Sequence, residues 1–349
     1  SDPKAFMLVV LPDTQMYTEK WHDHFHAQTD WIAKNAARLN IQYVLHEGDI
    51  VNNNGREQWE VAKAAMARLH GVVPYAIVPG NHDFNVTTGA FAEYDQFFPP
   101  SRYATAAWTP STASYGGYLG QNLFGPDPVD RKNMNIFALF TAGGRDWVSI
   151  NLEWETPQAT VDWATKVLQA YPDRLAIVTT HSFLGLNGLR RTTPERVGGI
   201  SANQLWTDFV SQQCQVRLVL SGHFHNGDAG EANRSDLNRC GEPVQQVLTD
   251  YQDRANGGDG WLRYFTFDPA AGTMTARTYS PKLGIFESDA DSAFTVPFSL
   301  GGTQPAPFQA IGTTATVDSG TVASRTWSGL DADTWYEWRA VTSDGEVSA

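Results

Sequence analysis

No stretch of the 349 residues approaches the ~18 consecutive apolar residues that mark a membrane span. Basic residues are few: Lys and Arg total 25 against 38 Asp and Glu, a formal net charge of −13. A surface of that sign repels phosphate backbones and anionic membranes. No nucleic-acid groove is expected, and the acidity reads as a solubility feature. Gly-x-Ser-x-Gly, the nucleophile elbow of Ser-His-Asp hydrolases, does not occur. The phosphate-cradling Gly-x-x-x-x-Gly-Lys-Ser/Thr loop is missing too. There are two cysteines, Cys214 and Cys240, which fit either one bridge or two unrelated thiols. They lie on either side of an apolar run that a return loop can fold back along, so a bridge is expected. No signal peptide is visible before the first apolar run. The expectation is a secreted, extracellular protein whose leader has been removed.

What is present is organised around Gly80-Asn81-His82-Asp83. It follows Pro74-Tyr75-Ala76-Ile77-Val78-Pro79, an apolar run of strand length. Four other runs end in the same way. Residues 6–11 lead into Pro12-Asp13-Thr14-Gln15, and 41–45 into His46-Glu47-Gly48-Asp49. Residues 175–180 lead into His181, and 216–220 into Ser221-Gly222-His223-Phe224-His225. Such runs between turn signals read as buried strands. Open α/β sheets bind ligands at the carboxyl ends of their strands. Here those ends deliver Asp, Gln, Asn and His, which is a metal-site inventory.

The ordered set Asp13-Thr14-Gln15, Gly48-Asp49, Gly80-Asn81-His82-Asp83, His181 and Gly222-His223-Phe224-His225 resembles the calcineurin-like metallophosphoesterases over roughly residues 5–300. Asp250-Tyr251-Gln252 and Gly257-Gly258-Asp259-Gly260-Trp261-Leu262 look like one secreted bacterial branch of that family. The first motif departs from the pattern, which is usually Asp-x-His. The resemblance implies an α/β fold, a four-layer α/β/β/α sandwich. It also implies two divalent metal ions drawn from Mn, Fe or Zn. Metal A would take Asp13, Asp49, His225 and Gln15; metal B would take Asp49, Asn81, His181 and His223, with Asp49 as the bridge. A hydroxide shared by the two ions would attack a phosphomonoester or phosphodiester in line. His82 would act as general acid, with Asp83 orienting its ring. Gln15 offers only an amide oxygen, so site A should lean to Mn or another hard ion. The substrate would be a small-molecule or surface phosphoester, and the protein a monomer. The alternative is a catalytically weak secreted binding module, with Gln15 marking decay and a C-terminal β segment doing the attaching.

The remaining chain reads more coarsely. Apolar spacing predicts helices over residues 27–39, 57–69 and 157–170, and another capped by Ser201. The run His22-Asp23-His24-Phe25-His26 reads as a polar helix start. Residues 85–131, rich in Gly, Pro and aromatics, form an insertion beside the rim. Residues 135–140 and 147–152 make a hairpin around a turn at 141–146. This hairpin opens a second sheet that also takes 244–248, 261–267 and 273–279. Glu153 reads as a surface carboxylate and 226–243 as a polar loop. From residue 301 the composition shifts. Thr326-Trp327-Ser328-Gly329-Leu330 and Thr334-Trp335-Tyr336-Glu337-Trp338-Arg339-Ala340-Val341 resemble later strands of a fibronectin type III module. The expected domains are therefore 1–300 and a partial module over 301–349.

Overall fold

The computed structural model describes residues 4–85, 90–104, 113–301, 316–318 and 320–330. The chain divides into two units, Ser1–Leu300 and Gly301–Ala349.

The larger unit holds two seven-stranded mixed sheets. The chain opens in one of them with β1 (Phe6–Leu11), β2 (Ile41–His46) and β3 (Tyr75–Ile77). It then builds the whole of the other: β4 (Ser114–Leu119), β5 (Lys132–Ala142), β6 (Arg145–Leu152), β7 (Leu175–Thr180), β8 (Val216–Ser221), β9 (Glu231–Leu237) and β10 (Pro243–Thr249). It returns to the first sheet with β11 (Leu262–Asp268), β12 (Thr273–Ser280), β13 (Ile285–Glu287) and β14 (Ala293–Pro297). Strand order is β13-β12-β11-β1-β2-β3 in the first sheet, with β14 also on β12. In the second it is β4-β5-β6-β7-β8-β10-β9.

Burial explains why these strands read as continuous apolar runs. Every residue of β1, β7 and β8 is buried, because both faces of each strand are covered. In β7, Leu175 and Ile177 join the core between the sheets. Ala176 and Val178 point the other way, onto Val161, Ala164, Val167 and Leu168 of the helix Gln158–Ala170. Between the sheets Tyr43 stacks on Phe140 at 5.1 Å, and Phe6 meets Trp147 edge-on at 5.9 Å. The helices His22–Asn35 and Arg56–Ala67 bury Phe25, Ile32, Trp59, Ala62 and Met66 against the first sheet. The layers are helix, sheet, sheet, helix.

Register aligns the strand ends. In the first sheet Leu11 pairs with His46 and His46 with Ile77, all parallel. In the second, Leu152 pairs with Thr180, Thr179 with Leu220, and Ser221 with Leu248. The carboxyl ends of β1–β3 and of β6, β7, β8 and β10 thus form two short edges.

Three expectations change. The strand at 244–248 is β10, parallel to β8, whereas β11 and β12 extend the first sheet through β1. Apolar runs reveal strands but not their partners. The 226–243 loop contains β9, an edge strand of polar sequence. The hairpin turn is only Gly143-Gly144, at φ 60° and 76°. Two consecutive positive-φ residues suit the twist of a tight hairpin. Thr141 and Asp146 belong to the ladder, and Thr141 Oγ1 donates to Asp146 Oδ1 at 2.6 Å. Within the insertion are helices Ala92–Phe97 and Pro100–Ala104 as well as β4. In the second unit residues 326–330 carry no regular secondary structure, and 334–341 lie outside the described residues. Among the described residues no helix is long and apolar enough to cross a membrane.

Cys214 and Cys240 form a disulfide with their Cα atoms 5.4 Å apart, tying the approach to β8 to the β9–β10 turn. Asn238 reinforces the tie: Nδ2 donates to the Cys214 carbonyl at 3.2 Å and Oδ1 accepts from Cys240 N at 3.0 Å. Closing a loop of this length stabilises by roughly 3 kcal/mol in the chain-entropy model. Cys214→Ser with Cys240→Ser should lower the denaturant-unfolding free energy by about that amount. Two free thiols titrated in denaturant without reductant would contradict the bridge.

Candidate metal centre

The two edges face each other, and the predicted ligands meet between them. Asp13 lies just past β1, Asp49 past β2 and Asn81 past β3. His181 follows β7, and His223 and His225 follow β8. Asp49, His181 and His223 form a cluster whose ligand atoms lie within 4.8 Å of one another. His181 Nε2 is 3.4 Å from Asp49 Oδ2, 3.0 Å from Asn81 Oδ1 and 3.1 Å from His223 Nδ1. Asp13 borders this group, its Oδ2 accepting from the His223 backbone N–H at 3.3 Å. Gln15 begins the short helix Gln15–Glu19 and is buried, its Oε1 without a hydrogen bond among the described residues. His225 is half-buried, with Nδ1 2.7 Å from Asp253 Oδ2.

Glycines permit this density. A Cβ on Gly80 would stand 2.1 Å from Asp49 Oδ1, and one on Gly222 would stand 2.1 Å from Asp13 Oδ1. Asp49 and His223 themselves adopt φ of 47° and 75°. Left-handed backbone at residues other than glycine costs on the order of 1–3 kcal/mol and clusters where function over-determines it.

The donor set fits a cation. His181 Nδ1 lies 2.9 Å from the Glu47 carbonyl oxygen, which can only accept, so Nδ1 carries the proton. Burial opposes a charged ring, but Asp49 outweighs it and raises the His181 imidazole above its ordinary value, so Nε2 can hold a second proton toward Asp49 and Asn81. A divalent cation could take the place of that proton among the same atoms. Carboxylate, amide oxygen and imidazole suit a divalent transition metal.

Electrostatics agree. Burial, Asp250, Asp49 and Glu47 together raise the Asp13 carboxyl well above its ordinary value. Burial chiefly raises Glu47, and it holds Asp250 at about 6. Burial opposes ionisation of Asp49 as well, but His181 outweighs it and keeps that carboxylate at about 2. Burial and His181 push His223 down to about 3, leaving a neutral ring ready to ligate.

Asp83 is a correction. Its Oδ1 accepts from Ile50 N at 2.8 Å and Val51 N at 3.0 Å, and its Oδ2 from Gly80 N at 2.8 Å. It therefore staples the two metal-motif turns together and does not orient the His82 ring. The ring is held by the Asn52 carbonyl, 2.6 Å from Nδ1, while the His82 backbone N–H donates to Asp49 Oδ1 at 3.0 Å. Glu153 is a second correction. It is fully buried, ion-paired with Arg131 and with Arg196, whose Nη1 is 2.9 Å away.

The sequence assigns no site role to Glu47, Asn52, Asp250 or Asp253. Asp250 directly follows β10, as the chosen ligands follow their strands, and its Oδ2 is buried without a hydrogen bond among the described residues. That position was the available signal.

Residues 8–227 match the calcineurin-like phosphoesterase family, more than half of the chain, and the chain belongs to that family. A Bacillus subtilis (strain 168) relative, the uncharacterized protein YvnB, is 31% identical over 281 residues, 79% of this chain and 20% of YvnB. The chain thus spans about a fifth of that relative's length. Among solved structures, GAP50, the anchor in the inner membrane complex of Plasmodium, aligns with a TM-score of 0.46 at 11% identity. That alignment covers 85% of this chain and 90% of that one. The NAD nucleotidase NadN of Haemophilus influenzae aligns at 0.43 and 12% identity, over 84% and 50%.

A carboxyl group raised by folding loses its stabilising share as pH climbs through the folded value. Asp250 has titrated by about 6, and Asp83, raised by burial and by Asp49, titrates at about 8. His46 and His223, both held at about 3, are neutral in folded and unfolded chains alike above the ordinary imidazole range. They add nothing to the slope there. Chelator-treated protein should therefore melt at a lower temperature at about pH 8.5 than at about pH 7. Mn²⁺ should remove the difference. Equal melting temperatures without metal would contradict the cluster's repulsion.

Proposed function

We propose that this chain is a dinuclear metal-dependent phosphoesterase acting outside the cell on small or surface-borne phosphomonoesters or phosphodiesters. The observation that carries this reading is the convergence of Asp49, Asn81, His181 and His223, with Asp13 against His223. Asp49, Asn81, His181 and His223 would hold one ion. Asp13, Asp49, His225 and Gln15 would hold the other, with Asp253 orienting His225 as outer carboxylates orient ligating imidazoles. Two divalent ions held there would supply an activated water at neutral pH and neutralise charge on the phosphoryl oxygens. The Cys214–Cys240 disulfide favours an oxidising compartment.

The protein's own groups do the rest. With Nδ1–H donating to the Asn52 carbonyl, His82 can carry a second proton only on Nε2. From there it is delivered to the leaving oxygen as the ester bond breaks. Asp49, bonded to the His82 backbone, couples that acid to the metal ligands. Gln15 would bind through an amide oxygen, making its site the weaker and the harder, with manganese preferred.

Metal analysis with turnover of p-nitrophenyl and bis-p-nitrophenyl phosphate tests the reading. Asp49→Ala should lose both ions and nearly all activity; full metal retention would refute the bridge. General acid catalysis contributes ~10²–10⁴-fold and matters most for basic leaving groups. His82→Ala should therefore slow alkyl esters far more than p-nitrophenyl esters at unchanged metal content. Equal losses would exclude the leaving-group role. Gln15→His should tighten the weaker site and shift it toward zinc or iron in a titration of metal-free protein. Unchanged affinity and preference would remove Gln15 from the ligand set.

A further inference from the structure

A charged pair stands beside His223 on the segment that follows β7. Arg191 Nη1 lies 2.9 Å from Glu195 Oε1, and Glu195 Oε2 lies 3.9 Å from His223 Nε2. The guanidinium carbon is 5.4 Å from the centre of the Phe224 ring, between the two histidines of the Gly-His-Phe-His motif. Both members of the pair are well exposed, at 42% and 44%.

The backbone beneath them is fixed. Glu155 accepts from Glu195 N at 2.6 Å and from Arg196 N at 2.5 Å. Asn203 N donates to the Arg191 carbonyl at 2.9 Å. Neighbouring arginines are committed elsewhere. Arg190 donates to Asp236 at 2.8 Å and Gln246 at 2.6 Å, and Arg131 and Arg196 are spent on the buried Glu153. Arg191 differs in having a wet, exchangeable partner. Such surface pairs contribute about 0–1 kcal/mol. An arginine on a phosphate oxygen makes a shorter, stronger charge-assisted contact, frequently bidentate.

We propose that Arg191 is a substrate-binding residue that exchanges Glu195 for an ionised oxygen of the phosphoryl group. Glu195 parks the guanidinium at the rim when substrate is absent and competes with it when substrate arrives. The assignment rests on the phosphoesterase reading and adds the group that recognises the ester's charge outside the metal ligands. Inorganic phosphate, the product of monoester hydrolysis, carries the same oxygens and would use the same contact.

The test uses the full chain loaded with Mn²⁺. It measures KM for p-nitrophenyl phosphate, the inhibition constant of inorganic phosphate, and metal content. Arg191→Ala should raise both constants by about tenfold, the factor set by one charge-assisted bond. The loss should fall on KM more than on kcat, with metal content retained. Glu195→Gln should lower both constants by removing the competitor. A merely structural ion pair would weaken the site from either side, so opposite signs support the exchange. Shifts in the same direction, or Arg191→Ala constants within about twofold of wild type, would overturn it while leaving the hydrolase intact. If the loaded wild type turns over neither p-nitrophenyl phosphate nor its diester, the phosphoesterase reading falls and this assignment with it.

Discussion

Like charges crowded into a dry seam are the constraint on which this molecule is built. Asp13, Glu47, Asp49, Asp83 and Asp250 are all buried where the two sheet edges meet. Ionised carboxylates do not remain buried without compensation. The fold compensates in two ways. Asp83 is ringed by backbone donors, and Glu47 accepts from Thr249 Oγ1 at 2.6 Å. Asp13 and Asp49 instead look toward histidines and an amide, the company of a cation. Repulsion that would be a defect elsewhere is what a bound cation would relieve here.

The convergence of the candidate ligands was legible because each follows a strand. A buried strand is a dense apolar run, and the polar residue that breaks it is conspicuous: Asp13 after Leu11, His181 after Thr180. Glycines marked the close approaches, as Gly80 and Gly222 show by the Asp oxygens that a Cβ would strike. The role of Asp83 was hidden. Adjacency to His82 suggested a partnership, but successive residues on a tight turn point apart, and its carboxylate reaches back to Gly80 and across to Ile50. Glu153 was hidden for a related reason. A carboxylate after a strand looks exposed until two arginines from distant segments, Arg131 and Arg196, are folded onto it.

Sheet membership was the least legible feature. The same apolar alternation serves β10 and β11, yet one lies parallel to β8 and the other antiparallel to β1. Pairing is decided by crossover geometry and by which faces need covering, and neither is written locally. β9 escaped notice because an edge strand needs few apolar residues. Its Glu231 pairs with Arg254 and Arg263 and its Asp236 with Arg190 across neighbouring segments, while Arg234 pairs with Asp236 within the strand.

The first sheet is assembled from both ends of the larger unit, with Phe6 opposite Phe267 and Val10 opposite Arg263. This has a consequence for biosynthesis. A ribosome emits β1 on the order of 250 residues before its antiparallel neighbour, which at ~5–20 residues per second is about 10–50 s. During that interval the second sheet can close on contacts within itself, while β1 keeps one unpaired edge made of Phe, Met, Leu and Val. Such non-local pairing is slow to form and exposed to aggregation. Asp13 and Asp49 ride on β1 and β2. A nascent chain stalled before residue 262 would therefore present Asp13 and Asp49 on an unfinished sheet.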